Sequence, residues 1–548
     1  MTQSDTNPLL GFWLAKLDMA EKSQQAYRER VKKIIRRYRD ERSDQDRSSR
    51  LNILWSNIET LKPALYSSTP KPQIERRYKD GDPFARQSAM VLERALATNM
   101  DLMDFDNVMR DCVQDYLLTG RAVARIRYIP EIVKIFDESD DLEKTDEKLI
   151  HEQVVCDYVH WNDFLHDPAR NWNDVTWVAF RNYLCRDELS DRFGESAVDI
   201  GLDVRDDLHD GDKVQDWNDK NAKATVWEIW DKSSANVLWI APNPSTGRAK
   251  LLEIQSDPMH LSGFFPCPSP LMATTTSDDL TPVPDYALYQ DQAIELDILT
   301  ARISALARMI RLRGVYDASV EPVQRLLSEY GGDSQLIPVD QWAALTQKGG
   351  LDSIVAWMPI ERMVQVLREL YQIRDRVKND LYEITGIADV IRGATAPSET
   401  ATAQQIKGRF ATLRLSERQK SVARFGRDLI RLMAEVMAEH FNPETLSNMT
   451  GMNVVPEMVQ LFQSEQIRNW RIDIESDSTV AVDEAVEKQT RIEFLNAVTG
   501  FIKEITPLVQ SGAVPLDIAK AMLLFGVRGF KVGSELESAL ETLGNGAR

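Results

Sequence analysis

The chain has 548 residues, of which 43% are hydrophobic and 28% are charged, and its formal net charge is −19. This length and composition are typical of a soluble globular protein with about three or four domains. The negative charge argues against a protein that grips nucleic acid through clustered Lys and Arg, but it is compatible with a surface past which nucleic acid slides.

The sequence shows no signal for a membrane or for secretion. No apolar run approaches the roughly 20 residues that span a bilayer. The N-terminus lacks a basic segment followed by an apolar core. The four cysteines have no CxxC spacing, so we expect reduced thiols in a cytosolic protein rather than a zinc site or a disulfide framework.

Helical periodicity dominates the first part of the chain. Residues 8–70 and 84–118 are predicted to be helical, and the second stretch is predicted to end at Gly120, a C-cap before a β run. Strands are predicted over 122–136 and 151–160. These elements indicate that helices and strands mix within the N-terminal half.

Three short β runs between residues 224 and 254 are separated by turn residues, which is typical of an antiparallel meander. Several of the 12 tryptophans lie in or near this β region. Such residues anchor a core or an interface, or they stack on nucleic-acid bases; the core is the favoured interpretation.

Two long helices of comparable length enclose a small mixed insert. The first helix starts at Tyr289 and runs for about 25 residues. The insert at 314–358 contains short β runs, and the second helix covers 359–385. Each helix carries an apolar stripe, formed by Ile294, Ile298, Ala301, Ala305 and Met309 in the first and by Met363, Leu367, Leu370, Val377 and Leu381 in the second.

A loop rich in small and hydroxylated residues, 387–400, precedes a helix predicted over 401–441. A strand follows in "WRIDIESD", and about three short helices are expected from residue 483, broken at Pro507, Pro515 and Gly526/Gly529. The apolar stripe of the long helix is predicted to be one-sided and consists of Ile406, Phe410, Leu413, Val422, Phe425, Leu429, Leu432 and Val436.

The common enzymatic motifs are absent from the sequence. There is no GxxxxGK[ST], GxGxxG, GxSxG or HExxH pattern. The acidic segment 137–148 does not fit a calcium loop, because Leu142 and Lys148 stand where an EF-hand needs Gly and Glu. We therefore expect no catalytic residues, no metal and no cofactor, and the chain is predicted not to be an enzyme.

One polar cluster leaves an alternative open. "DFLHDPARNWND" brings Asp163, His166, Asp167 and Asp174 close in sequence. These residue types could form a metal or acid/base site, or the aspartates could cap turns. The first reading would make the chain a cytosolic enzyme of an unrecognised type.

The order of elements resembles that of the portal proteins of tailed bacteriophages, the rings through which DNA enters and leaves the capsid. The resemblance covers about residues 25–540 and depends on element order more than on any short motif. The most similar stretches are 50–72, 280–303 and 394–419, the last reading "ATAPSETATAQQIKGRFATLRLSERQ".

The resemblance implies an α+β multi-domain protein, mainly helical, with the portal fold assembled as a ring around a central channel. The implied parts are a wing (1–283, with a β return at 442–482), two stem helices (284–313 and 359–386), a clip (314–358), a tunnel loop (387–400), a long channel or wing helix (401–441) and crown helices (483–548).

The resemblance also implies where DNA passes. The tunnel loop would be small, adaptable and unable to grip, with Glu399 adding one repulsive carboxylate per subunit. Lys407 and Arg409 would offer weak phosphate contacts or pair with acidic residues of a neighbour. The implied channel residues of the loop are Arg392, Gly393, Ala394, Thr395, Ala396, Pro397, Ser398, Glu399 and Thr400.

The implied partners are the other copies of a twelve-subunit ring, double-stranded viral DNA of any sequence, a terminase motor, tail adaptors, and major capsid and scaffolding proteins, with no membrane. The location would be a capsid vertex of the virion, and the host cytoplasm during assembly. A structural adaptor without DNA contact is a further alternative. Motor and adaptors would dock on clip residues Val315, Tyr316, Gln335, Ile337, Asp340, Trp342, Lys348, Ile354 and Trp357.

Overall fold

The chain is an α+β protein in which helices predominate, as expected. It divides into two compact units, the first made of Met1–Ile35, Ile58–Asp285 and Glu399–Arg548 and the second of Arg36–Asn57 and Tyr286–Ser398. The computed structural model describes residues 8–42, 48–76, 83–136, 145–202, 204–205, 222–243, 248–310, 314–316, 355–357, 360–387, 401–464, 470–474, 484–510, 515, 518–519 and 522–523.

The helices occur in every part of the described chain. They are α1 (Pro8–Tyr38), α2 (Ile53–Leu65), α3 (Pro83–Leu102), α4 (Phe105–Leu118), α5 (Arg186–Phe193), α6 (Asp285–Met309), α7 (Ile360–Thr385), α8 (Ala401–His440), α9 (Pro443–Thr450), α10 (Pro456–Ser464) and α11 (Glu484–Gln510).

The strands are β1 (Pro72–Arg76), β2 (Arg121–Phe136), β3 (Thr145–Val159), β4 (Phe164–His166), β5 (Trp177–Leu184), β6 (Val204–Arg205), β7 (Ala222–Asp231), β8 (Asn236–Asn243), β9 (Arg248–Ser256), β10 (Leu271–Met272), β11 (Gly314–Tyr316), β12 (Val355–Trp357) and β13 (Trp470–Ile474).

The largest sheet of the first unit has six strands. Its order is β4-β5-β7-β8-β9, with β6 beside β7, and neighbouring strands are antiparallel. The predicted meander is confirmed by β7, β8 and β9. The N-terminal half of α1 packs on this sheet through Trp13, Leu17 and Ala20. The favoured core role is confirmed for the buried tryptophans of the β region, Trp161, Trp177, Trp227, Trp230 and Trp239.

Strands β2 and β3 form a long hairpin, paired from Val123 with Val159 to Phe136 with Thr145. Strand β3 begins earlier than predicted, because residues from Thr145 onward pair with the distal end of β2 although their sequence is charged. Tertiary pairing outweighs intrinsic strand preference here. The rest of the acidic segment, 137–144, lies outside the described residues.

The predicted single helix over 84–118 is two helices. α3 and α4 are separated at Asp104, whose φ of 54° is left-handed, a conformation that Asp adopts more readily than most residues. The predicted glycine cap is confirmed, because Gly120 follows the C-cap residue Thr119 with a left-handed φ of 83°. A Cβ at Gly120 would lie 3.2 Å from the backbone of Pro284, so a side chain would disturb this close approach.

The long helix α8 is confirmed, but its apolar stripe is not one-sided. Phe425, Leu429 and Val436 are buried as predicted, whereas Leu413 is 58% exposed. Leu413 and Val422 are nine residues apart, about two and a half turns, so they point to opposite sides of the helix. The side chains of Ile406 and Phe410 lie outside the described part.

Two further expectations need correction. α11 continues through Pro507 to Gln510, so this proline does not break the helix. Its missing N–H removes one hydrogen bond close to the C-terminus, where only a last turn depends on it. The strand near residue 470 is confirmed as β13, but its partner β1 was not predicted: Pro72 pairs with Ile474 and Arg76 with Trp470.

Candidate functional site

The two long helices of the second unit are joined through a short ladder. α7 corresponds closely to the helix predicted over 359–385, whereas α6 begins four residues before the predicted start at Tyr289 and ends at Met309. The strands that follow α6 and precede α7 are antiparallel, with Gly314 opposite Trp357 and Tyr316 opposite Val355. The segment 317–354 therefore begins and ends at the same strand pair, so it is an insert between the two helices.

α6 has apolar residues on two sides. One side, which includes Leu296, Leu299 and Ile303, is buried. The stripe predicted from the sequence lies on the opposite side, where Ile294 and Met309 are about half exposed and Ile298 is 47% exposed. Helical periodicity identifies both sides but cannot decide which of them packs within the chain.

The buried side of α6 is held by polar contacts as well as by apolar packing. Asp297 lies 2.8 Å from the Arg37 guanidinium and accepts a hydrogen bond from the backbone N–H of Leu51 at 3.0 Å. The hydroxyl groups of Ser49 and Ser304 are 3.0 Å apart. These contacts fix the rotation of α6, so its other apolar side faces away from the chain's own core.

α7 also leaves apolar surface uncovered. The predicted stripe is confirmed in part, because Val377 and Leu381 are buried while Leu367 is half-buried. Val366, Ile373 and Ile384 are exposed, Ile373 by 46%. Large apolar side chains left exposed on a helix are typical of a surface that binds another protein.

Four charged side chains next to these apolar residues have no role in the sequence-based prediction. The sequence could have indicated them, because each lies three or four residues from Ile298 or Ile373 and therefore shares a helix face with that isoleucine. They are Glu295 and Arg302 on α6 and Glu369 and Arg376 on α7.

The predicted channel and clip residues are only partly described. Arg392, Gly393, Ala394, Thr395, Ala396, Pro397, Ser398, Glu399 and Thr400 lie outside the described residues, as do Gln335, Ile337, Asp340, Trp342, Lys348 and Ile354. The backbones of Lys407 and Arg409 belong to the first turns of α8. Val315 and Tyr316 lie in β11, and Trp357 lies in β12.

The structure gives the Asp/His cluster separate partners. Asp163 accepts a hydrogen bond from the Tyr183 hydroxyl at 2.9 Å. Asp167 accepts from both the backbone N–H and the hydroxyl of Thr176, at 3.1 and 2.6 Å, which is a turn-capping role. Asp174 accepts from the side chain of Asn171 at 3.3 Å. The turn-capping interpretation is therefore confirmed for Asp167, while Asp163 and Asp174 accept hydrogen bonds from other side chains.

His166 is buried beneath this segment. Its Nδ1 lies 2.8 Å from the carbonyl oxygen of Asp167 and donates to it. Burial, reinforced by the Arg121 guanidinium, lowers the pKa of His166 to about 4. Across the part of the chain that the structure describes, no three His, Cys, Asp or Glu side chains are arranged to hold a metal ion.

Asp115 is a second buried group with a strongly shifted pKa. Burial raises its pKa to about 7, against the hydrogen bond that the Tyr158 hydroxyl donates to it at 2.5 Å. Asp111 adds to the increase, and the Arg121 guanidinium opposes it. Shifted pKa values also occur in hydrogen-bond networks that are purely structural. The groups around the Asp115 carboxyl form a network of this kind.

We expect Asp115→Asn to become more stable relative to the wild type as pH rises. A carboxyl whose pKa is higher in the folded state binds more protons when folded, so its contribution to stability is lost between about pH 4 and pH 7. The amide carries no charge and escapes this loss. Melting temperatures at pH 5 and pH 8 should show the difference between variant and wild type growing by on the order of 5 °C.

The control for this prediction is Asp101→Asn, which changes an exposed carboxylate in the last turns of α3. Its melting temperature should follow that of the wild type at both pH values. An Asp115→Asn variant that also runs parallel to the wild type would contradict the assigned protonation of Asp115.

Comparison with known proteins adds no family. No protein-family model matches the chain, and no curated protein is significantly similar to it. Among the described helices, none is both long enough and apolar enough to cross a membrane. The features available for a functional conclusion are therefore the helix–insert–helix unit, its uncovered apolar faces and the acidic charge.

Proposed function

We propose that copies of this chain assemble into a closed ring that conducts double-stranded DNA, the portal of a tailed bacteriophage. The observation that carries the proposal is the second unit: two long helices bear an insert whose ends pair in one ladder, and each helix leaves an apolar face uncovered. A helix with apolar residues on two sides normally packs on two sides.

The charge and the loop composition support a conduit rather than a binder. A net charge of −19 per copy would repel phosphate from most of the wall, so DNA would pass without adsorbing. In this assignment α6 and α7 are the stem, 314–358 is the clip and 387–400 is the tunnel loop. The chain would have a structural role and no catalytic one.

The remaining parts of the assignment follow from the ring. The clip would receive the packaging motor and later the tail adaptors, while wing and crown would contact capsid and scaffolding proteins. Twelve copies at one capsid vertex would admit the genome during packaging and release it during ejection. The residues 442–464 and β13 would belong to the wing, which is supported by the pairing of β13 with β1.

The first experiment measures assembly. Native mass spectrometry and electron microscopy of the purified chain should reveal closed rings with a central hole. A particle that remains monomeric at all concentrations and with scaffolding protein present would contradict the proposal. A monomer with metal-dependent hydrolase activity that is lost in Asp167→Ala would favour the enzyme alternative.

We also expect deletion of residues 394–399 to separate assembly from DNA retention. The segment consists of small and polar residues with little apolar surface to bury. Rings should therefore form as in the wild type, whereas capsids built with the variant should contain the ring but lose most of their DNA. Ring counts and DNA content of purified particles measure the two effects. Rings that fail to form would contradict this role of the loop.

A further inference from the structure

We propose that the exposed face of α6 in one copy packs against the exposed face of α7 in the next copy, through Ile298 and Ile373 and two ion pairs. The pairs are Arg302 with Glu369 and Glu295 with Arg376. This inference rests on the proposed ring, and it goes beyond it by naming the residues that join neighbouring copies and the register in which they meet.

The two faces have the same pattern in opposite order. On α6, Ile298 has Glu295 three residues before it and Arg302 four residues after it. On α7, Ile373 has Glu369 four residues before it and Arg376 three residues after it. Spacings of three and four place each charge on the same helix face as its isoleucine.

The ladder between β11 and β12 provides a common origin for counting along both helices. Gly314 stands opposite Trp357. Arg302 precedes Gly314 by twelve residues and Glu369 follows Trp357 by twelve; Glu295 and Arg376 are each nineteen residues from the ladder. The two isoleucines are both sixteen residues away, so apolar and charged positions match along the whole stretch.

In a closed ring, this match brings the side chains of neighbouring copies into contact. Neighbouring copies in a closed ring are related by rotation about one axis, so a residue has the same height along that axis in every copy. Antiparallel helices that run along the axis with Ile298 opposite Ile373 bring Arg302 opposite Glu369, each four residues from its isoleucine, and Glu295 opposite Arg376, each three residues from it. The charges that meet are opposite at both levels, and Ala305 meets Val366, because each is seven residues from its isoleucine on the side of the ladder.

Nothing within the described chain competes for these side chains. Glu295, Arg302, Glu369 and Arg376 are all exposed, and none forms an ion pair with another described residue. Ile298 and Ile373 are nearly half exposed, which is costly for isolated copies and is relieved by burial against a second copy. Because the two faces differ, the contact is heterologous, the kind that closes into rings.

The test exchanges charges without changing the net charge. One variant carries Glu295→Arg with Arg302→Glu, a second carries Glu369→Arg with Arg376→Glu, and a third carries all four substitutions. Each of the first two places like charges opposite each other at both levels, so we expect the protein concentration needed for ring formation to rise at least about tenfold at low salt. The third variant restores both attractions and should assemble like the wild type.

The matched control exchanges Glu417 and Lys420, an exposed ion pair on α8 at 3.2 Å, and should leave assembly unchanged. Melting temperatures of all variants should stay close to that of the wild type, since the substituted side chains are exposed. A second measurement avoids charges: oxidation of an Ile298→Cys/Ile373→Cys variant should give covalently linked ladders of chains, whereas either single substitution should not.

The outcomes separate this inference from the proposed function. The proposed contact would be overturned if rings still form in either double-exchange variant, or if they do not form in the variant with all four substitutions. Either result would leave the proposed ring itself unaffected. Loss of association in only one of the two double exchanges would also overturn the proposed contact, because that contact needs the charges of both helix faces. A wild-type chain that never forms rings would overturn the proposed function itself.

Discussion

The Glu152→Ala variant is expected to lose about 3–5 kcal/mol of the free energy of unfolding. Glu152 lies on β3 and is only 1% exposed. Its Oε1 accepts a hydrogen bond from the Tyr128 hydroxyl at 2.7 Å. Its Oε2 accepts from the backbone N–H of Asn442 at 3.0 Å and from the Thr445 hydroxyl at 2.7 Å. Alanine leaves all three donors without this acceptor.

The position of this carboxylate explains why the loss is large. Asn442 is the N-cap of α9, and its side chain accepts from the backbone N–H of Thr445 at 2.9 Å. Glu152 therefore places a negative charge at the positive end of α9 and ties that helix to the hairpin. Hydrogen bonds to a charged group are worth more than neutral ones, and the unpaired buried donors add a desolvation cost.

Urea denaturation followed by tryptophan fluorescence measures this loss, because most of the described tryptophans lie in the first unit. Glu152→Gln should lose less than alanine, since it keeps one acceptor oxygen. The control Glu131→Gln changes an exposed residue of the same hairpin and should stay within about 0.5 kcal/mol of the wild type. A Glu152→Ala midpoint equal to that of the control would show that the carboxylate contributes no net stability.

The Trp13→Ala variant is the second for which we expect a large loss, about 3–5 kcal/mol. Trp13 is 1% exposed and meets Trp177 of β5 edge to face, with ring centroids 5.8 Å apart. The indole fills the space between α1 and the six-stranded sheet, in a cluster with Trp227, Ile229 and Leu238. Removing it leaves a cavity that the rigid sheet cannot close.

The neighbouring residue supplies the control. Phe12 is 52% exposed and contacts Trp13 edge to face at 5.5 Å, while the Lys16 ammonium lies 4.6 Å from its ring centre. Phe12→Ala should cost no more than about 1 kcal/mol. Thermal or urea unfolding of the two variants should differ clearly. Equal losses would mean that α1 does not pack on the sheet through Trp13.

Several local features could be predicted because they depend on local rules. The extents of α7 and α8, the presence of α6, the meander β7–β9 and the glycine cap at Gly120 follow from apolar periodicity and turn residues. Other features depend on pairing with a second strand. The pairing of β1 with β13 and the early start of β3 are defined by a partner strand, and no pattern within the strand itself indicates that partner.

The candidate site divides in the same way. Sequence reasoning found the helix–insert–helix order and the stripe on α6, but it could not choose between the two apolar sides of that helix. The choice is made by Asp297, which the Arg37 guanidinium and the Leu51 N–H hold toward residues 36–57. Likewise, the aspartates of 163–174 have the residue types of an acid/base site, and only the structure shows that each has a separate partner, Thr176 for Asp167 and Tyr183 for Asp163.

The amino-acid sequence by itself determined the acidic charge, the helical and strand periods and the order of the elements, because these are properties of short stretches of chain. The tertiary structure alone decided which faces are covered: Leu413 outside, Glu152 inside, and Ile298 and Ile373 uncovered. Burial depends on what other parts of the chain place against a residue. The surfaces that await a second copy become visible only when the contacts within one copy are known.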